Sequence, residues 1–370
     1  MTVRFPYDKP LLFATLSLIG LGLIMIYSAS VVVAETRFGD PYFFLKRQLI
    51  WATLGIAVMV TLMFTDYSRL RRWFPLLLLS AFILLVLVFV PGIGSKVGKV
   101  RRWLYIFGVS FQPSELVKLA LIIYTAEVLD RRREHIKEFL RGFLPRMVVI
   151  GIFVVLITLQ PDVGTGLLLI LGLSSLLFVG GVRLGHILAT GGVLIVPAFI
   201  YLITNSAYRM RRIWAFWDPW SDPGDRGFQI IQSFFAFGRG GFWGVGLGEG
   251  KQKLLFLPQP HTDFIYSVIG EELGFGGAAL VVILFALIAW RGIAIAKGAP
   301  DAFGAYLAAG FTIMLTLQAF INMGMTLSLL PTKGLPLPLV SFGGSSMVCT
   351  MAGMGILLNI SQYSTHDVKG

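Results

Sequence analysis

Polar and charged residues in this chain fall between long apolar runs rather than along one face of amphipathic elements. The runs lie at roughly 11–33, 48–65, 74–91, 111–129, 144–160, 163–181, 185–204, 264–290, 303–324 and 340–360. As helices rising about 1.5 Å per residue, each is long enough to cross about 30 Å of hydrocarbon. The pattern predicts an all-α polytopic membrane protein of about ten transmembrane helices, a single integral domain over residues 1–370. An even number of spans puts both termini on one side.

The gap between the seventh and eighth runs, about residues 205–262, is too long for a plain connection and predicts a functional loop. Trp214, Trp217, Trp220 and Trp243 suit a headgroup layer. The apolar stretch Phe228–Phe237 is followed by a glycine-rich run from Gly238 to Gly250. Together they predict short interfacial helices folded back over the bundle. No internal repeat suggests a transporter built of two homologous halves.

Composition agrees: 56% of the 370 residues are hydrophobic and 14% charged, against about 45–50% and about 25% in soluble domains. Cys349 is the only cysteine and lies in an apolar run, which excludes a disulfide framework and a cysteine metal site. The net charge of +12 is spread over membrane loops rather than massed in one domain. That distribution argues against nucleic acid and for anionic membrane lipid as the partner. Counting short loops, basic residues favour cytoplasmic termini by roughly two to one. The loop read as outer nevertheless holds Lys96, Lys99, Arg101 and Arg102, and Arg209, Arg211 and Arg212 follow the seventh run. An anionic ligand on the outer face would account for both clusters. The Asp130–Lys137 stretch reads as a solvated topology signal on the cytoplasmic side.

Ionisable residues inside spans are costly unless paired or wet, at least about 2.5–3.5 kcal/mol each. Glu115 and Lys118 lie three residues apart in the fourth run, on one helix face, and Asp162 sits in the QPDVGT turn at the same depth. A packing ion pair and a wall gripping a polar headgroup fit these residues equally well. Lys333 lies in PTKGLPLPLVSFGGSS, whose prolines and glycines predict a broken or re-entrant backbone. Ser341, Ser345 and Ser346 there suit either a phosphate or freed backbone carbonyls.

Asp263, in LPQPHTDFIYSVIGEELG, stands where the long loop enters an apolar helix. Thr262 is expected as the N-cap, with Asp263 at the first helical position, where the helix dipole would favour an ionised carboxylate. Helix capping and base chemistry on an amphiphile at the water–membrane boundary both suit it. Glu271 is expected nearer the Asp263 face, and Glu272 as a capping or pairing group. Asp218, Asp222 and Asp225 read as turn residues, and the four histidines show no metal spacing.

Four segments carry a resemblance covering nearly the whole chain. They are KVRRWLYIFGVSFQPSELVKLA (99–120), QPDVGTG (160–166), DPWSDPGD to GEELGF (218–275) and LLPTKGLPLPLVSFGGSS (329–346). With these the chain closely resembles the shape, elongation, division and sporulation family of bacterial cell-wall proteins, and most of all its division branch. The resemblance implies a ten-span inner-membrane peptidoglycan glycosyltransferase that polymerises lipid II outside the cytoplasm. It implies a class B penicillin-binding protein as partner, with other membrane proteins of the division machinery. It implies Asp263 as the essential loop acid, Glu115, Lys118 and Asp162 as the polar cluster of a central cavity, and Arg102 as the outer basic motif. Lys333 and Ser345 are expected at the substrate, and a divalent cation (Mg or Mn) is an open option. A lipid II flippase, an elongation or sporulation polymerase, and a scaffold that only recruits the penicillin-binding protein are the competing readings.

Overall fold

The computed structural model describes residues 7–97, 100–106, 109–131, 134–224, 227–253, 260–332 and 334–363. Helix α1 (Lys9–Phe38) begins where the Asp8 side chain accepts the Leu11 N–H at 2.8 Å, with Pro10 in the first turn, and stops at Gly39 in the left-handed region. Helices α2 (Phe43–Phe64), α3 (Leu70–Leu87), α4 (Pro113–Arg131), α5 (Leu144–Leu159) and α6 (Val163–Val179) follow. Helices α7 (Leu184–Thr190) and α8 (Val196–Thr204) are joined through a π turn at Gly191–Ile195 into one run. Helices α9 (Ala207–Trp217), α10 (Phe228–Gly240) and α11 (Ile265–Glu272) lead to α12 (Gly274–Gly298), α13 (Ala302–Thr326) and α14 (Gly344–Ser361). Among the described residues, eight helical runs are long and apolar enough to span a membrane. The two other runs read from the sequence are α4, which carries Glu115 and Lys118, and α6, of 17 residues.

Helix α13 is the central post, packed against α4, α6 and α12, while α14 lies along α2. Between α3 and α4 the chain forms a small antiparallel sheet, β1 (Gly94–Val97), β2 (Val100–Ile106) and β3 (Val109–Phe111), in the order β1-β2-β3. Leu104 is buried and pairs with Phe111, whereas its neighbour Tyr105 is exposed. This period-two alternation is too short to register against the flanking apolar runs, and the sequence reading has no strand here.

The eighth expected run, 264–290, is two helices. Backbone direction changes at Leu273, and Gly274 takes φ 65°, a conformation open to glycine. The expected loop of about 205–262 contains α9 and α10.

The broken backbone expected before the last helix is present at residues 334–343. Most of this segment is buried, with Leu335, Leu337, Leu339 and Val340 in the core. Side chains satisfy its freed backbone groups: Gln318 Nε2 donates to Pro336 O at 2.9 Å, Asn322 Nδ2 to Leu335 O at 2.7 Å, and Leu337 N to Ser341 Oγ at 2.8 Å. Gly22 of α1 lies against it, and a Cβ there would sit 2.7 Å from Val340 O and 2.8 Å from Val340 Cα. Neither backbone atom can step aside alone. Gly22→Ala is therefore expected to lower stability by about 1–3 kcal/mol, read as a fall in the unfolding midpoint of the detergent-solubilised protein.

Candidate active site

Three consecutive residues hold the Asp263 turn to its surroundings through their carbonyls. His261 O accepts from Phe342 N at 2.9 Å, Thr262 O from Ser341 Oγ at 2.6 Å, and Asp263 O from Asn322 Nδ2 at 2.9 Å. Ser341 and Asn322 also bind the 334–343 segment, so the turn and the broken backbone form one rigid unit. The carboxylate is half-buried and faces Gly334, where a Cβ would lie 3.1 Å from Asp263 Oδ2. A side chain there would crowd the carboxylate.

The expected capping of α11 does not occur. Helix α11 starts at Ile265, with Phe264 at the cap position and no side-chain cap, so Asp263 lies before the helix rather than in its first turn. Burial accordingly dominates its ionisation and pushes the Asp263 pKa up to about 6. Arg212 and Arg102 pull it down, and Asp162 pushes it up. Two residues away, His261 is packed between Phe44, ring centroids 4.4 Å apart, and Phe342, at 5.7 Å. Burial, with a smaller contribution from Arg37, drives its pKa down to about 4. At neutral pH the imidazole is uncharged and a weak base. Asp263 is the group poised near neutrality.

Arg102, on β2, binds the turn at the start of α6. Its Nε donates to Gln160 O at 2.9 Å, an Nη donates to Pro161 O, and the other lies 3.7 Å from Asp162 Oδ1. Asp162 itself caps α6, accepting from Thr165 N at 3.3 Å and Thr165 Oγ1 at 3.0 Å, with Gln112 Nε2 at 3.5 Å. Glu115 and Lys118 form a buried ion pair at 2.8 Å, and Lys118 Nζ also donates to Gln318 Oε1 at 2.8 Å. They line an apolar cavity of about 430 Å³ with Phe311, Met314, Pro338 and Cys349. Ser345 Oγ accepts from Gln112 N at 3.0 Å and joins the start of α14 to the start of α4. Lys333 lies outside the described residues, as does Asp225.

Asp263, Asp162, Arg102 and Arg212 thus act on one another electrostatically at one end of the bundle, beside the Glu115–Lys118 pair. The link between them is α13. Gln318 reaches Lys118 and Pro336, and Asn322, one turn on, reaches Leu335 and Asp263. Sequence reasoning passes over both amides because they carry no charge, yet an i, i+4 amide pair in an apolar helix was the available signal. Asn322→Ala would leave two carbonyls without this donor. A loss of about 1–3 kcal/mol is expected, read as a fall in the unfolding midpoint of the purified protein.

Glu271 does not face Asp263. It accepts from Lys251 N at 2.9 Å and Gln252 N at 3.2 Å, in the glycine-rich loop. Glu272 binds Lys253 Nζ at 2.7 Å, Ser28 Oγ at 2.7 Å and Gly248 N at 3.1 Å. Both acids clamp the loop that leads back to Asp263.

Among the described residues no three His, Cys, Asp or Glu gather as a metal site. The oxygens of Asp162 are already engaged by Thr165 and Gln112, so a divalent cation here would call on the Asp263 carboxylate.

Cations and two carboxylates thus meet at one end of an apolar helical bundle, the arrangement of a membrane protein with a charged site at the end of its spans. Residues 9–366 match the cell cycle protein family of FtsW, RodA and SpoVE, and the chain belongs to it. It is 47% identical over 355 residues to a "Probable peptidoglycan glycosyltransferase FtsW" of Geobacter sp. (strain M18), covering 96% of each chain. It is 42% identical over 359 residues to stage V sporulation protein E of Bacillus subtilis (strain 168), covering 97% of this chain and 98% of that one. Among solved structures it is similar to a chain of a peptidoglycan synthase complex coordinating polymerization and crosslinking, with TM-score 0.78, 30% identity and coverage of 96% and 97%. It is also similar to the rod shape determining protein RodA of Thermus thermophilus, with TM-score 0.72, 27% identity and 98% of each chain covered.

Proposed function

We propose that the chain is a peptidoglycan glycosyltransferase of the division type, polymerising lipid II at the outer face of the cytoplasmic membrane, with both termini cytoplasmic. The observation that carries the assignment of roles is the Asp263 carboxylate. It is fixed through its backbone, faces Gly334 closely, is shifted toward neutrality by burial and feels the charges of Arg102 and Arg212.

In the reaction the GlcNAc 4-hydroxyl oxygen of one lipid II bonds to the anomeric carbon of a MurNAc on another chain. The bond from that carbon to the undecaprenyl pyrophosphate oxygen breaks with inversion. Asp263 takes the hydroxyl proton and passes it to water. No paired acid is required, unlike in a glycosidase, because pyrophosphate departs as a stabilised anion. Arg102 and Arg212 offset the charge that develops there. Asp162 holds Arg102 and caps α6. The Glu115–Lys118 pair keeps charge in the cavity wall beneath the headgroup. Lys333 and Ser345 remain proposed substrate contacts, and a divalent cation remains an optional aid. Similarity to a chain of a synthase complex supports a class B penicillin-binding protein as partner, alongside other membrane proteins of division.

The test is polymerisation of purified lipid II by the purified chain, with and without the partner and a divalent cation. A glycan ladder is expected. Translocation of lipid II across vesicles with no ladder would replace the enzyme by a flippase. Full activity of Asp263 and Lys118 variants in cells would support a scaffold instead.

A further inference from the structure

A second set of buried charges lies at the other end of α4 from Glu115, and the glycosyltransferase chemistry does not use it. Arg146 of α5 is 2% exposed and Glu127 of α4 is 1% exposed, and both line a cavity of about 680 Å³ with Arg131, Arg141, Phe74 and Tyr124. The cavity adjoins a wider one of about 1250 Å³, which shares Arg131, Arg141 and Pro145 and opens beside Leu140.

The wall charges are unequal. Glu127 is shared between Arg131, which bonds it directly, and Arg71, 3.8 Å away. Arg71 also satisfies Asp130 at 2.8 Å and Asp301 at 2.8 Å. Glu134 lines the wider cavity, and His135 pairs with Glu138 at 2.9 Å. Arg141 makes no ion pair among the described residues. Among the described residues the inner cavity is lined by three arginines and one carboxylate, with Arg146 anchored through Nη2 to Val128 O at 3.3 Å.

The backbone is built to make this space. Residues Phe139–Phe143 form a π turn, a rare geometry that is frequent at functional sites. Gly142 packs against the His135 and Ile136 carbonyls so closely that a Cβ would have to displace backbone. This turn carries Arg141 to the cavity edge. Apolar side chains line both cavities: Leu140, 71% exposed, the wider one, and Phe74 and Tyr124 the inner one. They suit acyl chains beside a charged headgroup.

We propose that the cavity between α3, α4 and α5 binds a phosphate group, held by Arg141 and Arg146, on the side of the membrane opposite Asp263. The apolar mouth favours a phosphodiester carried by an anionic phospholipid over free phosphate. Basic pockets between spanning helices on the cytoplasmic side recognise such headgroups. The site is independent of the polymerisation assignment, because nothing in it touches the Asp263 end.

The experiment uses the full chain, delipidated and then exposed to phosphatidylglycerol, phosphatidylcholine or inorganic phosphate. Retained lipid is read by native mass spectrometry and stabilisation by thermal unfolding. The variants are Arg141→Glu, at an exposed position outside any ion pair among the described residues, and Arg72→Glu, an equal charge change on α3 outside the cavity lining. Wild type and Arg72→Glu are expected to retain phosphatidylglycerol in preference to phosphatidylcholine, and Arg141→Glu to bind it about tenfold more weakly. Stabilisation of wild type, but not Arg141→Glu, by inorganic phosphate alone would support the site with free phosphate as its ligand. Equal retention of the two lipids with no phosphate effect would overturn the proposal. So would equal binding by wild type and Arg141→Glu.

Discussion

Asp263→Asn is expected to fold normally and to lose glycan polymerisation by about 10²–10⁴-fold, the contribution of a positioned general base. The amide keeps the shape of the carboxylate, and the turn is held through backbone carbonyls that the substitution leaves intact. Loss of activity therefore reports loss of the proton acceptor. The pH dependence gives a second readout. Burial raises the Asp263 pKa from 3.8 to about 6, so wild-type turnover should climb as pH rises through about 6 and level off above it. Stability has the opposite sign. A group whose folded pKa is raised gives full stability below its unfolded pKa and loses it as pH rises through the folded value. Wild type should lose about 1–3 kcal/mol between roughly pH 4 and 6 through this group. Asp263→Asn should lack that decline and match or exceed wild type in thermal stability at neutral pH. An Asn variant that polymerises at the wild-type rate ends the general-base assignment.

Glu272→Gln is expected to cost about 3–5 kcal/mol, the penalty of leaving one member of a buried ion pair alone. The Lys253 and Glu272 side chains are 4% and 0% exposed, and the pair closes on itself through Ser28 Oγ, 2.9 Å from Lys253 Nζ, and Gly248 O, 2.7 Å from it. The Gln variant keeps most hydrogen-bond positions but no charge for Lys253. Replacing both together, as Lys253→Met with Glu272→Leu, should recover much of the loss, because two buried charges are removed rather than one. Thermal unfolding of wild type, Lys253→Met, Glu272→Leu and the double variant measures the coupling. Additive effects would mean that the pair does not hold the loop. Activity should follow stability, since the clamped loop leads directly to the Asp263 turn.

Which parts of this protein were legible in advance follows from the range of the forces involved. Burial in hydrocarbon acts on every residue of a run, so the membrane-spanning architecture stood out in apolar length alone. Glu115, Lys118 and Asp162 stood out because a charge at membrane depth is costly and needs a reason, Asp263 by its place at a loop–helix boundary, and Arg102 as one of a cluster of outer-loop cations. The sheet at 94–111 did not, since a short alternation is weak against its neighbours. Helix α11 escaped for a related reason: its apolar run continues into α12, and only Gly274 marks the break.

The sequence by itself determined a multi-pass helical chain with one acid at a loop–helix boundary and cations on the same side. Those properties are set by composition and spacing, which need no partners. The tertiary structure alone decided what each polar group does. It withdrew Asp263 from the helix dipole and left burial to set its ionisation. It turned Glu271 and Glu272 away from the site toward the glycine-rich loop. It also brought Gln318 and Asn322 of α13 against the broken backbone that carries the Asp263 turn. Partnership between groups far apart in the chain depends on packing, which no local pattern records.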